Sequence, residues 1–452
     1  MDSCEDDHEV LGIVVDRRSG VKARCYARRT RGEETVIRGV PATLFLAAIV
    51  ASATFACGRR TVSDPAAWSI DARPLAVPAQ EGSREPQLTG SGPDVVLSWL
   101  EHAGATNTLK FSQRTGSGWS APVTVASGTD WFVSYADPPA VMRLSDGTLV
   151  AQWLQQTDPR IEAMDLRLSY STDGGKSWAK SFTPHHDGTV TQHAFASLFE
   201  LPGGSLGMVW LDGRESFIET DDPAGGAMTM RAAAFDSAWV QTADTAVDRR
   251  VCECCSTSVA TTSNGVIAAY RDRLAGEIRD VAVSRFENGA WSEATSVHND
   301  GWKTYSCPVN GPAVSARGNQ VVTSWFTAVN DEGRAFVAFS SDAGRSWGAP
   351  IRLDDGVALG RVDVELLDEG SAVATWIEFA DGKSQLRVRR VDASGARSPA
   401  VALGGLGEGG AAGFPRMARQ GDELLFAWTD SAESTEANPG ATQVRTAVAR
   451  LP

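Results

Sequence analysis

Four cysteines of this 452-residue chain fall in two short segments, and sulfur is the side-chain atom that binds soft metals and forms disulfides. The first segment holds Cys252, Cys254 and Cys255, and the second holds Cys307. In an oxidising compartment an even number of cysteines forms disulfides, here Cys307 with one member of the first segment. Reduced thiolates instead bind copper(I) or zinc, and activated thiols carry out redox or thiol-transfer chemistry. The sequence leaves these three interpretations open.

Histidines add nitrogen ligands to the metal interpretation. His298 lies in the same interstrand segment as Cys307, and His193 follows the adjacent pair His185 and His186 in an earlier loop. Imidazole binds zinc and copper, although a lone loop histidine is more often solvated than bound to a metal. The metal interpretation therefore gives a copper or zinc ion at the cysteines, with His298 and His193 as additional ligands.

Charged loops and two tyrosines offer a different chemistry. Arg214, Arg271 and Arg273 follow apolar strands, and planar guanidinium groups bind carboxylates well. Each arginine also stands near an aspartate in sequence, which would hold it in a local ion pair. Tyr135 and Tyr305 lie in loops and are the candidate nucleophiles of a hydrolase. These patterns assign no catalytic residue.

One unit recurs along the chain and must position these residues: an apolar strand, a Gly or Asp-Gly turn, and a second apolar strand that ends in an aromatic residue. The closing aromatics are Trp99, Trp153, Trp210, Tyr270, Trp325, Trp376 and Trp428. They recur about every 55 residues, the period of a four-stranded propeller blade. We predict an all-β fold, a seven-bladed β-propeller of four-stranded antiparallel blades, with a six-bladed ring as the alternative.

Both ends of the chain share one blade in this prediction. The last repeat ends after its third strand, and the segment from Ala67 to Val77 has the pattern of an isolated fourth strand. Pairing the two removes the free sheet edges of an open ring. Loops that enter blades lie on one face of a propeller, and the two cysteine segments enter neighbouring blades four and five. Four sulfurs are therefore expected at the same end of the central channel.

Two turns carry a Ser-x-Asp-x-Gly-x-Ser-Trp pattern, from Ser171 to Trp178 and from Ser340 to Trp347. The aspartate bonds turn amides, the glycine permits positive φ, and the tryptophan packs between blades. With the blade pattern, these Asp-boxes resemble the sialidase superfamily of BNR-repeat propellers over residues 65–452. The resemblance implies an exo-α-sialidase with three carboxylate-binding arginines, a tyrosine activated by a glutamate and an aspartate acid/base, or a relative without catalysis.

The sequence departs from the sialidase pattern at the first of these arginines. The Phe/Tyr-Arg-Ile-Pro segment is absent, and the nearest segment, Phe414-Pro415-Arg416-Met417, has another residue order. Catalytic members of the superfamily also usually have six blades. We therefore favour a non-hydrolytic binding protein with a cysteine-rich, metal-binding site on the axial face. The alternatives are an exo-α-sialidase and a non-catalytic glycan-binding lectin.

An apolar segment near the N-terminus predicts export. Residues 40–57 are mostly apolar, but their apolar centre of about a dozen residues is too short for a membrane span of about 20. The sequence from Thr54 to Cys57 resembles a lipobox, which would place a lipid anchor on Cys57 in a bacterial cell envelope. Ala51-Ser52-Ala53 is the alternative, an ordinary cleavage site that would give a secreted protein. Residues 1–39 read as an extension upstream of the true start, and residues 65–452 as the propeller domain.

Net charge limits the partners. The formal charge of −14 repels phosphate backbones, so the composition argues against a nucleic-acid partner. The expected partners are a glycan, a small anionic ligand or another envelope protein. The sequence does not define the ligand or the oligomeric state.

Overall fold

A computed structural model of the chain describes residues 69–90, 95–201, 203–216, 226–405, 413–431 and 442–451. The predicted extension at 1–39 and the signal segment with its lipobox at 40–57 lie outside the described residues. Within the described ranges, no helix has both the length and the apolar character that a membrane span requires.

The described residues form seven small antiparallel sheets, so the seven-bladed β-propeller is confirmed and the six-bladed alternative is wrong. The strands are β1 (Ala72–Leu75), which closes blade seven; β2 (Ser83–Thr89), β3 (Val96–Ala103), β4 (Thr106–Gln113) and β5 (Val123–Gly128) in blade one; β6 (Ala140–Arg143), β7 (Leu149–Asp158) and β8 (Ala163–Ser171) in blade two; β9 (His193–Glu200), β10 (Leu206–Asp212), β11 (Thr229–Phe235) and β12 (Gln241–Asp248) in blade three; β13 (Ser258–Thr262), β14 (Gly265–Arg271), β15 (Val281–Glu287), β16 (Ala290–Trp291) and β17 (Thr295–Ser296) in blade four; β18 (Ala313–Arg317), β19 (Gln320–Thr327), β20 (Arg334–Ser340) and β21 (Ile351–Arg352) in blade five; β22 (Val357–Leu366), β23 (Ala372–Ala380), β24 (Lys383–Val391) and β25 (Val401–Gly405) in blade six; and β26 (Arg416–Gln420), β27 (Glu423–Ser431) and β28 (Thr442–Arg450) in blade seven. A single 3-10 turn, Val329–Asp331, joins β19 to β20 in the described chain.

The ring closes as the sequence predicts. Strand β1 pairs antiparallel with β28, with Ala72 opposite Ala449 and Leu75 opposite Thr446. Blade two has three strands, and its fourth position is reduced to a bridge between Leu168 and Phe182. The first strands of neighbouring blades contact one another, for example β2 with β26 and β13 with β18. These innermost strands therefore surround a central channel.

Closing aromatics make up much of the core. Trp99, Trp210, Trp325 and Trp376 are fully buried. A buried indole N–H needs an acceptor, and each of these four donates to a carboxylate, from Glu101, Asp212, Asp300 and Glu378 respectively. Burial of the ring and pairing of its polar atom together fix where each second strand ends.

In blades one, three and six the innermost strand bulges opposite the closing tryptophan. The bulges contain Glu85, Phe195 and Arg361, with φ of 55°, 57° and 54°. Left-handed backbone costs a non-glycine residue about 1–2 kcal/mol. Bulges bend a strand and redirect its side chains, and they are frequent beside functional sites.

Both Asp-box turns join the third strand of a blade to its outer edge. Asp173 accepts hydrogen bonds from the Ser171 and Ser177 hydroxyls, at 2.8 and 2.6 Å. Gly175 has φ of 89°, and an added Cβ there would lie 2.7 Å from Phe111 of blade one. Trp178 also packs edge-on against Phe111. The turn therefore joins one blade to the preceding one.

Candidate functional site

The two cysteine segments meet where the chain enters blades four and five. Sγ of Cys252 lies 3.4 Å from Sγ of Cys255 and 3.7 Å from Sγ of Cys254. All three sulfurs lie within 4.8 Å of one another. The backbone N–H of Asn310, in the second segment, donates to Cys255 Sγ at 3.3 Å. We call Cys252, Cys254, Cys255 and Cys307 the thiol site.

Cys307 lies at the exposed edge of the thiol site, with its sulfur 3.9 Å from Glu253 Oε1. Burial raises the pKa of the Cys307 thiol, and a hydrogen bond with Cys254 opposes the rise. The described cysteines are all free thiols. The 3.4 Å between Cys252 and Cys255 exceeds the bonded S–S distance of about 2.05 Å, so no disulfide is formed among them.

Charge at the thiol site is concentrated on one sulfur. Hydrogen bonds from the thiols of Cys254 and Cys255 lower the pKa of Cys252. Burial raises the pKa of Cys255 to about 12. Arg279 is 1% exposed, and its Nη1 donates to Cys252 Sγ at 3.2 Å. Although burial opposes it, the negative charge of Cys252 raises the pKa of Arg279. The arrangement is one thiolate held between two thiols and a buried guanidinium.

An ion-pair network holds that guanidinium in place. Arg279 Nη1 lies 2.9 Å from Glu253 Oε2, and its Nη2 lies 3.1 Å from Glu277 Oε2. Arg273 pairs with the same Glu277 at 3.0 Å. Glu253 therefore links the sulfurs to the network through the cysteine segment itself.

The structure places the three candidate carboxylate-binding arginines against acceptors of the chain itself. These acceptors are Asp212 for Arg214, the backbone carbonyls of Arg279, Asn310 and Phe326 for Arg271, and Glu277 for Arg273. Arg271 is 1% exposed and stacks on Trp302, so it supports the loop that enters blade five.

The two candidate nucleophiles, Tyr135 and Tyr305, have different surroundings. Tyr135 is 43% exposed, with the Arg361 guanidinium 5.0 Å from its ring centroid. Tyr305 is 76% exposed, with Lys303 Nζ 5.4 Å from its ring centroid. Of the two, Tyr135 lies beside an arginine of a bulged innermost strand.

Both histidines predicted as additional ligands face aspartates. His298 Nε2 lies 3.8 Å from Asp300 Oδ1. His193 Nε2 lies 3.1 Å from Asp187 Oδ2, and the His193 ring stacks on His185. The structure thus groups His193 with acidic side chains between blades two and three.

Sequence reasoning missed a second group of functional side chains, which lines the central channel. The channel has a volume of about 580 Å³, and its lining includes Asp137, Asp363, Glu365 and Arg416, from blades two, six and seven. Asp137 Oδ2 accepts the backbone N–H of the bulge residue Phe195 at 2.6 Å. We call these four residues, with the buried Glu85 next to Asp137, the axial acid–arginine group.

Burial raises the pKa of every carboxyl in this group, to about 7 for Glu85, Asp137 and Glu365 and to about 6 for Asp363. Burial lowers the pKa of Arg416, and its Nε has no hydrogen-bond partner. Carboxyls that titrate near neutrality beside an incompletely bonded guanidinium can transfer protons and bind an anion.

Comparison with known proteins finds similarity to solved structures only. No family model matches the sequence, and no curated protein matches it. Similar solved structures include a protein of unknown function from Dyadobacter fermentans, at 13% identity and a TM-score of 0.49, covering 84% of this chain and 98% of that one. They also include an endosialidase of phage phi92, at 8% identity and a TM-score of 0.49, covering 85% and 69% of the two chains.

A third similar structure is an α-L-arabinofuranosidase from Fusarium graminearum, at 14% identity and a TM-score of 0.44, covering 70% of this chain and 94% of that one. These proteins are similar to the chain in fold, and similarity at this level carries no information about the residues of its sites.

Proposed function

We propose that this chain is an exported, non-hydrolytic binding protein whose thiol site binds copper(I) or zinc. One observation carries the proposal: Cys252, Cys254 and Cys255 place three unbonded sulfurs within 4.8 Å of one another. Thiolates are the ligands that these two metals favour, and Cys307 at the edge supplies a fourth sulfur.

Charge balance supports a metal at this position. Binding requires Cys254 and Cys255 to lose their protons, which gives three thiolates with Cys252. A zinc ion and the Arg279 guanidinium, 3.2 Å from Cys252, would together neutralise those three charges. Arg279 thus offsets part of the thiolate charge in the metal-bound state. A glycosidase site has no such thiolates to offset.

Metal analysis of native protein tests the proposal. Protein purified without chelators and without oxygen should contain close to one equivalent of copper or zinc bound through sulfur, and Cys252→Ser should abolish this sulfur-bound equivalent. Ser306→Ala is the matched control, because Ser306 is exposed and adjacent to Cys307. Non-reducing peptide mapping that finds all four cysteines in disulfides, with no bound metal, would refute the proposal.

The axial acid–arginine group favours a second function, an exo-α-sialidase or a lectin for an acidic sugar. Arg416 faces the channel with an unsatisfied Nε. Its charge acts on Asp137 and Asp363, so a sugar carboxylate bound there would meet one cation and two proton-holding carboxyls. A channel of about 580 Å³ lies within the usual range for small-ligand pockets.

A fluorogenic sialoside and a glycan array separate these two versions. Turnover that is lost in Asp137→Asn supports the hydrolase, and array binding without turnover that is lost in Arg416→Met supports the lectin. Tyr135→Phe, alone and with Tyr305→Phe, tests the tyrosine nucleophile. If the protein shows no binding and no turnover between pH 5 and pH 8, the second function is refuted.

Export and anchoring form a separate part of the proposal. The signal segment at 40–57 motivates it, with Cys57 as the lipid-bearing residue and secretion as the alternative. Fractionation of cells with labelled fatty acid tests it, since Cys57→Ala should release an anchored protein into the soluble fraction. Recovery of unprocessed protein in the cytoplasm would contradict export.

A further inference from the structure

A cluster of histidines and carboxylates lies between blades two and three, apart from the thiol site and the channel lining. His185 and Asp187 belong to the connection from β8 to β9, and His193 is the first residue of β9. Asp165 lies in β8 and Asp212 ends β10. These five residues are called the histidine–carboxylate cluster. The two imidazole rings stack with centroids 3.7 Å apart and planes 2° from parallel.

The ring nitrogens face two different carboxylates. On one edge, Asp187 Oδ2 lies 3.1 Å from His193 Nε2 and 3.6 Å from His185 Nδ1. On the other edge, Asp165 Oδ1 lies 3.8 Å from both His185 Nε2 and His193 Nδ1. One carboxylate is thus placed to orient both rings, while the opposite two nitrogens converge on the second carboxylate.

The converging edge is incompletely bonded. The His185 side chain is 5% exposed, and its Nε2 is buried without a hydrogen-bond partner. With its Nδ1 turned toward Asp187, His185 presents Nε2 as the available ligand atom. The Met164 carbonyl oxygen lies 3.3 Å from His193 Nδ1 and accepts a hydrogen bond from it. Cation binding at Nδ1 would place the ring proton on Nε2, which faces Asp187. A buried nitrogen without a partner is costly, and a cation at this edge would remove the cost.

We propose that His185 Nε2, His193 Nδ1 and an Asp165 carboxylate oxygen bind a first-row divalent transition-metal ion, with Asp187 orienting both imidazoles. The three ligand atoms lie within 4.8 Å of one another, two of the separations being 3.8 Å. Tetrahedral coordination with bonds of about 2.0–2.1 Å requires ligand separations of about 3.4 Å. Because the two rings are parallel, binding also requires them to turn so that both lone pairs point at the ion. A carboxylate behind a ligating histidine is the usual outer partner in such sites.

The charge around the cluster matches a divalent ion. Asp165, Asp187 and Asp212 contact the rings, and Arg214 pairs with Asp212 at 2.7 Å and with Asp187 at 3.3 Å. Three carboxylates and one guanidinium, with neutral imidazoles, leave two negative charges. Nitrogen and oxygen ligands suit zinc, iron(II), cobalt(II) or nickel(II), whereas the thiol site suits softer ions. The Asp165 side chain is 29% exposed, which gives the ion a path from solvent.

Cobalt(II) is the probe that separates this cluster from the thiol site, because cobalt bound to thiolate has a sulfur charge-transfer absorption and cobalt bound to nitrogen and oxygen does not. Wild-type protein should bind one equivalent that lacks the sulfur absorption, and zinc should displace it. Asp165→Asn and His185→Gln should weaken this binding more than about tenfold, and Asp187→Asn should weaken it by about 10- to 100-fold.

His186→Ala is the matched control, since His186 is the exposed neighbour of His185 and should leave binding unchanged. Cys252→Ser should remove the sulfur absorption and leave this equivalent in place. Unaltered cobalt affinity in folded Asp165→Asn and His185→Gln proteins, or loss of all cobalt binding in Cys252→Ser, would overturn the proposal. Circular dichroism shows whether each variant is folded. Asp165→Asn keeps the local shape, because asparagine has the size of aspartate and the Asp165 side chain is partly exposed.

Discussion

The thiol site and the axial acid–arginine group show two ways in which one propeller assembles chemistry. The thiol site takes its sulfurs from two segments that enter adjacent blades, Cys252 to Cys255 and Cys307. The axial group takes its five residues from blades one, two, six and seven, the most distant in sequence being Glu85 and Arg416. A contiguous motif is visible in a sequence, whereas a group whose residues come from four separate blades exists only after the ring has closed.

The two sites also differ in how the protein uses burial. At the thiol site, hydrogen bonds from two neighbouring thiols lower the pKa of Cys252, with buried Arg279 alongside. In the axial group, burial raises the pKa of four carboxyls, and Arg416 opposes the rise in part at Asp137 and Asp363. One site therefore stabilises negative charge, and the other suppresses it until a ligand or a rise in pH intervenes.

The largest expected effect tests whether the two sites are independent. Cys252→Ser removes the central sulfur and should lower the zinc affinity of the thiol site by more than about 100-fold in a chelator competition. Asp137→Asn, in the axial group, should leave zinc affinity unchanged. Equal losses in both variants would show that the sites are one functional unit.

A second test uses the pH dependence of stability. The pKa of Asp137 is raised to about 7 from a usual value of 3.8, so its contribution to stability is complete below about pH 4 and is lost as the pH rises through 7. Asp137→Asn keeps the shape and the Phe195 contact, and should gain about 2 kcal/mol over wild type between pH 5 and pH 8 in urea unfolding. A constant difference across that range would contradict the raised pKa.

A third test concerns the thiolate at Cys252. Arg279→Gln removes the nearest cation and should raise the titration midpoint of the thiolate absorbance by about one pH unit. Arg273→Gln is the control, because Arg273 pairs with Glu253 and Glu277 rather than with a sulfur. If both variants shift the midpoint equally, the network as a whole sets the charge of Cys252.

The smallest expected effect concerns an outer turn. Asp342 accepts hydrogen bonds from Ser340 and Ser346, so Asp342→Ala should cost about 1 kcal/mol of unfolding free energy. Metal binding and channel ligand binding should not change. A change in either would show that the Asp-box acts on the sites through the blade rather than on stability alone.

The sequence predicted the blades, their number and the strand that closes the ring, because strand pattern, turn glycines and closing aromatics are local signals repeated many times. It also predicted that the two cysteine segments enter neighbouring blades, because counting the repeats assigns each segment to a blade. The axial carboxyls gave no such signal. Glu85 is buried at a bulge with left-handed backbone. The alternation of side chains along a strand does not predict where a bulge redirects a residue.

Arg416 shows the limit of motif comparison. Its segment differs from the sialidase motif in residue order, yet the structure places Arg416 in the channel lining, where the charges of Asp137 and Asp363 act on it. The stacking of His185 on His193 was equally invisible, since it depends on how the connection from β8 folds back over β9. Positions of this kind follow from tertiary packing, which a single sequence does not encode in any local pattern.

Closure of the ring by β1 has a consequence for how the protein is made. The partner of β1 is β28, a pairing of four residues that joins the two ends of the described fold. During synthesis, the first six blades can form in order as they leave the ribosome, while β1 waits with an open edge until Arg450 is available. A chain truncated before β28 would therefore present an unpaired strand at each end, which marks it for degradation or for pairing with a second incomplete molecule.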